Sequence, residues 1–305
     1  MFETMLELMG MMFLLMIIGA ILRKLKIITD EGKRCLTDII IDAVLPCNII
    51  KAFTTKMEEG ILQKFTVLVV VAIGVQIIAL IGTRILYQKM NEKEKPIYQY
   101  ATVCSNAGFL GNPMAEGVFG NIGLMYASIF LIPQRIIMWT AGISYFSQEQ
   151  DKKATYKKVI THPCMIATYI GFVLMISHIS LPGVIDSTIK SVSNCCTPLT
   201  MMYMGIILAD VRLKGLVTKK LLYFSFIRLI GMPLVIFLIC LVAQIDPLIT
   251  GVAVLLTGMP AGSTTSLLAF KYGADEQAAT KCVVLTTVLA IITIPIWSML
   301  LVSRL

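Results

Sequence analysis

Ten blocks of mostly apolar residues alternate with short polar links along the chain, at about 6–22, 36–53, 65–86, 97–119, 122–146, 160–177, 184–208, 218–241, 247–270 and 279–302. A membrane span needs roughly 20 such residues, so each block predicts a transmembrane helix. Several blocks are interrupted by Gly or Pro. Two interruptions carry the strongest breakers: Asn106-Ala-Gly-Phe-Leu-Gly-Asn-Pro113 in the fourth block and Gly258-Met-Pro-Ala-Gly-Ser-Thr-Thr265 in the ninth. In lipid an interrupted backbone persists only where protein or a watery cavity satisfies the freed groups. The longest polar stretch runs only from about Ser147 to Lys158, so no soluble domain is expected. The N-terminus carries Glu3 and Glu7 and no Lys or Arg before Arg23. That predicts a retained helix and not a cleaved signal.

The breakers recur in order. Pro46 in span two matches Pro198 in span seven. Pro113 in span four matches Pro260 in span nine, and Pro133 in span five matches Pro295 in span ten. Glycine links, Phe119-Gly120-Asn121 and Tyr272-Gly273-Ala274, follow the two breaks. The chain therefore divides into residues 1–150 and 151–305, five spans each. An odd number of spans per half turns the second half upside down, the inverted-repeat plan of secondary transporters.

Composition fits that picture: 57% of the 305 residues are hydrophobic and 14% charged. The net charge of +8 is a topology signal. Nineteen of the 26 Lys and Arg lie in the alternate links 23–34, 84–95, 147–158, 210–220 and 271–281, and five lie at the opposite ends. By the positive-inside rule the first set is cytoplasmic and both termini are outside, in the plasma membrane. A nucleic-acid partner would need a soluble basic surface and is not expected. Eight cysteines, mostly inside spans, read as free and buried. His162 and His178 fall at opposite ends of span six without a Cys, Asp or Glu at ligand spacing, so no metal site or catalytic residue is expected. No phosphate-binding Gly-rich loop is present, so neither ATP nor another cofactor is called for.

The residues Asn106-x-x-x-x-Gly111-x-Pro113, Pro260-x-Gly262, Leu181-Pro182, Thr197-Pro198-Leu199, Met204-Gly205 and Thr286-Thr287 leading to Ile294-Pro295 give the chain a family likeness. It resembles the auxin efflux carrier family over nearly its whole length, in the compact form of the bacterial members. The resemblance implies an all-α integral membrane fold with ten transmembrane helices. Helices 1, 2, 6 and 7 would form a scaffold, often dimeric. Helices 3–5 and 8–10 would form a transport bundle, in which broken helices 4 and 9 cross at mid-membrane. It places a substrate at the crossing, at Asn106, Gly111, Pro113, Pro260 and Gly262.

A broken helix exposes a positive N-terminal pole and a negative C-terminal one. Asn112 with Pro113 reads as the cap and first position of a restarted helix, and Pro260 takes the same role in span nine. Free amides there suit a carboxylate, and Ser263, Thr264 and Thr265 add hydroxyls. Four charges deep within the spans need an account: Asp42, Glu116, Arg135 and Arg228. They would pair with one another or act in transport. Glu116, beside a positive pole, is the candidate for coupling to H⁺ or Na⁺; Arg135 or Arg228 could neutralise an anion; Asp42 reads as a cavity-wall residue. The leading expectation is a secondary transporter of a small organic anion, a mono- or dicarboxylate. The alternatives are a Na⁺/H⁺ antiporter or channel on the same fold, and a membrane-embedded enzyme.

Overall fold

The apolar blocks fold as helices, which satisfy their own backbone polar groups without water. The computed structural model describes residues 2–54, 61–139, 145–146, 161–177, 179, 181–210, 216–262 and 264–303. In chain order the helices are α1 (Phe2–Lys24), α2 (Asp30–Ile39), α3 (Leu45–Phe53), α4 (Ile61–Leu86), α5 (Lys95–Val103), α6 (Asn112–Trp139) and α7 (Pro163–Ser177). They continue as α8 (Gly183–Asn194), α9 (Cys196–Ala209), α10 (Lys219–Phe226), α11 (Met232–Val242), α12 (Pro247–Thr257), α13 (Thr264–Lys271) and α14 (Glu276–Val302). Among the described residues there is no strand. Ser263 lies outside them. Among the described residues five helical runs are long and apolar enough to cross a membrane: Gln63–Leu86, Ala107–Met138, Gly183–Ala209, Lys219–Val242 and Gln277–Val302. Pro163–Leu174 and Pro247–Thr257 are shorter apolar helices. The chain is thus a multi-pass helical membrane protein.

Local sequence explains the helix ends. Asp246 accepts from the Leu248 and Ile249 amides at 2.9 and 3.2 Å, with Pro247 opening α12. Asp275 caps α14 through the Ala278 amide at 2.9 Å. Gly120, inside α6, has φ 69° and ψ −162°, a conformation that glycine alone adopts without strain, and it separates two helical pieces. Gly273, between α13 and α14, has the same φ of 69°.

Among the described residues three π turns, Ile40–Val44, Ala107–Gly111 and Ile227–Gly231, each end two residues before a proline: Pro46, Pro113 and Pro233. A proline has no N–H for the carbonyl four residues back, and its ring crowds that carbonyl. One wider turn moves the carbonyl aside and lets the helix continue.

The tightest contact joins α1 and α9. A Cβ on Gly205 would lie 1.8 Å from the Met16 carbonyl oxygen, and one on Gly19 would lie 2.0 Å from that of Met202. Small residues at such places let backbones touch, which is where helix association in lipid draws its packing energy. Further on, α3 packs on α7 and α8, α6 lies between α4 and α12, and α14 lies against α10, α12 and α13. Large apolar side chains such as Leu14, Val70, Val173 and Val242 remain exposed on the outside, as a lipid-facing surface requires. All eight cysteines are free.

At the ends of α1 and α9, Arg23 pairs with Asp30 and Asp210, and Lys33 with Asp210 at 2.8 Å. Burial raises the Asp210 carboxyl, but Arg23 and Lys33 outweigh it and hold it below the usual carboxylate range. Its contribution to stability is therefore present above the unfolded pKa and fades as pH falls through the folded one.

Candidate functional site

The first broken segment follows α5. Cys104 leaves the helix at φ −103°, ψ 96°. Ser105 then pairs antiparallel with Ala261, which follows α12. The Asn106 amide donates to the Pro260 carbonyl at 2.8 Å, and the Gly262 amide to the Cys104 carbonyl at 3.0 Å. The Ala261 amide donates to Thr286 Oγ1 at 3.1 Å. Each interrupted segment thus satisfies backbone groups of the other, the condition for irregular chain inside a membrane. Gly262 permits this approach, since a Cβ there would sit 3.1 Å from the Cys104 carbonyl oxygen. At Gly111 a Cβ would meet the Leu256 side chain at 2.6 Å.

The helices restart at different residues from those expected. Asn112 is already helical, at φ −60° and ψ −52°, and does not cap. The restart comes six residues earlier, after Asn106, through the π turn that absorbs Pro113. In the other segment α13 begins at Thr264, while Pro260 lies in extended chain and offers its carbonyl to Asn106. The positive helix poles therefore lie just after Asn106 and at the first turn of α13, where the Thr265 amide donates to the Gly262 carbonyl at 3.0 Å.

Both helix starts open on one cavity of about 210 Å³. It is lined by Ser105, Asn106, Gly108 and Phe109 from the first start, and by Gly262 and Thr264 from the second. Gln134, Arg135, Leu131 and Met138 come from α6, Ile41 and Leu45 from the α2–α3 segment, and His162 and Cys164 from the start of α7. A Cβ on Gly108 would meet nothing within 4 Å, so this turn faces open space. Arg135 is 7% exposed, and its Nη1 has no hydrogen-bond partner. Asn106 donates through Nδ2 to the Met204 sulfur at 3.4 Å. Of the sequence candidates, Asn106, Gly262, Thr264 and Arg135 line this cavity. Gly111, Asn112, Pro113, Pro260 and Thr265 do not, because the shifted restarts turn them into the packing behind it.

The four charges inside the expected spans do not pair with one another, and only Arg135 and Arg228 of them are buried. Glu116 lies 3.3 Å from Lys51 Nζ and accepts from Asn48 Nδ2 at 3.0 Å, and Asn48 also donates to Ser193 at 3.1 Å. Asp42 is exposed on its π turn. Arg135 and Arg228 have no carboxylate within ion-pair distance among the described residues. Glu116 thus spans α6 and α3 away from the cavity. Glu116→Gln keeps the Asn48 contact and removes the charge. A partly exposed pair contributes about 1 kcal/mol or less, so Glu116→Gln is expected to melt within a few degrees of wild type; a large drop in melting temperature would make the Lys51–Glu116 pair a structural anchor.

Sequence reasoning passed over Gln134, whose side chain holds the break: Ser105 Oγ donates to Oε1 at 3.0 Å and Nε2 donates to the Ser105 carbonyl at 2.8 Å. A Gln beside an Arg within an apolar block was the available signal. Tyr100, donating to Thr264 Oγ1 at 3.1 Å, carried no such signal.

A multi-pass helical membrane protein with irregular chain and a buried Arg at one cavity belongs to the class of membrane transporters. The chain is a member of the membrane transport protein family, that of the auxin efflux carriers, whose model matches residues 3–298. It is 24% identical over 294 residues to an uncharacterized transporter of Methanothermobacter thermautotrophicus, covering 94% of this chain and 95% of the relative. It is 20% identical over 306 residues to the uncharacterized transporter YfdV of Escherichia coli, covering 95% of each. It is also 20% identical over 292 residues to a Rhizobium meliloti protein named "Putative malonate transporter", covering 92% and 91%.

Proposed function

We propose that the protein is a secondary transporter that carries a small organic anion, a mono- or dicarboxylate, across the plasma membrane by alternating access. The observation that carries this reading is the cavity itself, where Arg135 Nη1 stands buried and unpartnered between two helix starts. A desolvated guanidinium with an unpartnered nitrogen is costly, and the helix starts add positive potential from two sides. A carboxylate would satisfy all three. The name of the Rhizobium meliloti relative points to the same chemistry.

The wider arrangement belongs to this proposal too: ten spans in two inverted repeats, helices 4 and 9 broken and crossing, a scaffold of helices 1, 2, 6 and 7 that dimerises, and termini outside. The paired segments 104–106 and 260–262, and two glycines of equal φ at Gly120 and Gly273, support it. A second reading, a cation antiporter on the same fold, draws on Asn112, whose amide oxygen and nitrogen are both buried without partners.

Purified protein is expected to melt at higher temperature in malonate or acetate than in chloride, by the binding free energy of about 2.7 kcal/mol at a hundredfold excess over Kd. Stabilisation by Na⁺ with none from any carboxylate would reject the anion reading in favour of the second.

A further inference from the structure

A carboxylate held by Arg135 would leave the rest of the substrate against the other walls of the cavity. Among the described residues Arg135 is the one Lys, Arg, Asp or Glu lining it. The other polar side chains there are engaged. Ser105 and Gln134 exchange two hydrogen bonds, at 3.0 and 2.8 Å. Asn106 donates to the Met204 sulfur, and Thr264 Oγ1 accepts from Tyr100. His162 Nδ1 accepts from the Cys164 amide at 3.3 Å, so that nitrogen carries no proton. Among the described lining residues, Arg135 Nη1 is the one side-chain nitrogen or oxygen buried without a hydrogen-bond partner.

Around that anchor the wall is apolar. Leu131, Gln134, Arg135 and Met138 are spaced i, i+3, i+4 and i+7 along α6, so Leu131 and Met138 flank Arg135 one turn to either side on one helical face. Ile41 and the buried Leu45 close the cavity from the α2–α3 segment. Phe109 adds an aromatic wall, its ring stacked on Tyr203 at 5.6 Å. The two helix starts are matched by two helix ends beside the paired segments, those of α5 at Val103 and α12 at Thr257. The poles therefore orient one carboxylate and add no net charge. A second carboxylate would lose its water against leucine and methionine with no second cation to balance it, which costs far more than placing an apolar group there.

We propose that the cavity selects a monocarboxylate with a compact aliphatic body over a dicarboxylate. The carboxylate sits on Arg135, and the body rests on Leu131, Met138, Phe109, Ile41 and Leu45. A volume of about 210 Å³ equals that of about seven waters in the liquid, at ~30 Å³ each, and suits an anion of about seven non-hydrogen atoms. Isovalerate has that size. Malonate has it too, with a carboxylate in place of the isopropyl group. The inference rests on the carboxylate reading above and narrows its substrate class.

The test titrates the purified full-length protein with isovalerate, malonate, acetate and the neutral isovaleramide, following the melting temperature at a pH where both malonate carboxyls are ionised. Isovalerate is expected to bind about sixtyfold more tightly than acetate, roughly fourfold for each of the three added carbons buried. Over malonate its advantage should be about tenfold or more, from the two methyl groups alone. Isovaleramide, which lacks the charge for Arg135, should bind about tenfold or more weakly than isovalerate. Met138→Gln sets an amide where the thioether was and should narrow the ratio of isovalerate to malonate affinity by about fivefold. Malonate binding as tightly as isovalerate overturns the proposal and leaves the carboxylate reading standing. Isovaleramide binding like isovalerate overturns it as well, as does a wild-type ratio retained in Met138→Gln. If Met138→Gln does not fold, the four probes on wild type decide. A wild type that binds none of the three carboxylates overturns the carboxylate reading itself.

Discussion

Arg135→Met is expected to abolish stabilisation by carboxylates while raising the melting temperature of the empty protein. The two effects have opposite signs because one feature causes both. In the empty protein the guanidinium is buried with Nη1 unpartnered, and its desolvation is compensated only in part. Replacing such a charge by an apolar side chain of similar volume is often stabilising, by about 1–4 kcal/mol. With an anion bound, the same charge becomes one half of a desolvated ion pair. Removing that half costs about 2–5 kcal/mol, which is some 30-fold or more in affinity. Arg135→Lys keeps the charge but loses the planar fork, so an intermediate loss is expected. Melting curves with and without malonate check both signs at once. A lower melting temperature for empty Arg135→Met, with the malonate shift intact, would make Arg135 a structural residue and leave the cavity without its anion anchor.

Gly205→Val is expected to prevent the protein from folding, and Gly205→Ala to destabilise it by about 3 kcal/mol, the upper part of the usual range for overpacking. The obstacle is backbone and not a movable side chain: the new Cβ would meet the Met16 carbonyl oxygen at 1.8 Å and the Ala20 nitrogen at 3.0 Å. Relief would require α1 and α9 to separate along their length, with the reciprocal contact at Gly19 lost as well. Gly74→Ala is the control, since a Cβ there meets nothing within 4 Å. Size-exclusion profiles and melting temperatures of the detergent-solubilised variants check this. Equal behaviour of Gly205→Ala and Gly74→Ala would mean that the α1–α9 contact is looser than described. Met204-Gly205 was one of the dipeptides that carried the family likeness. Its glycine serves packing, while the Met204 sulfur reaches Asn106 at the cavity.

The wrong expectations at the breaks share a cause. A proline states that one N–H is missing, and two local solutions meet that lack: a helix start or a wider turn. Asn112-Pro113 reads as a start because Asn is a good cap. The chain takes the wider turn because a better place to interrupt it exists nearby. At Asn106 the freed amide finds the Pro260 carbonyl, more than 150 residues away in the sequence, and no local pattern announces such a partner. Pairing among Arg135, Arg228, Glu116 and Asp42 failed for a related reason. Lys51 lies near the end of its block, where a link residue was expected, yet the fold brings it to Glu116.

Sequence alone determined the membrane class, the family and the two segments in which the chain is irregular. It also supplied the small set of polar residues from which a site could be built. Those properties follow from local composition: hydrophobic length, residues without a donor or a Cβ, and charges too costly to place idly in lipid. Tertiary structure decided where each break falls, which candidates meet at the cavity, and which of two buried arginines faces it. These depend on hydrogen bonds and fields between segments far apart in the chain, and at each proline the energies of the local alternatives are too close for the sequence to choose.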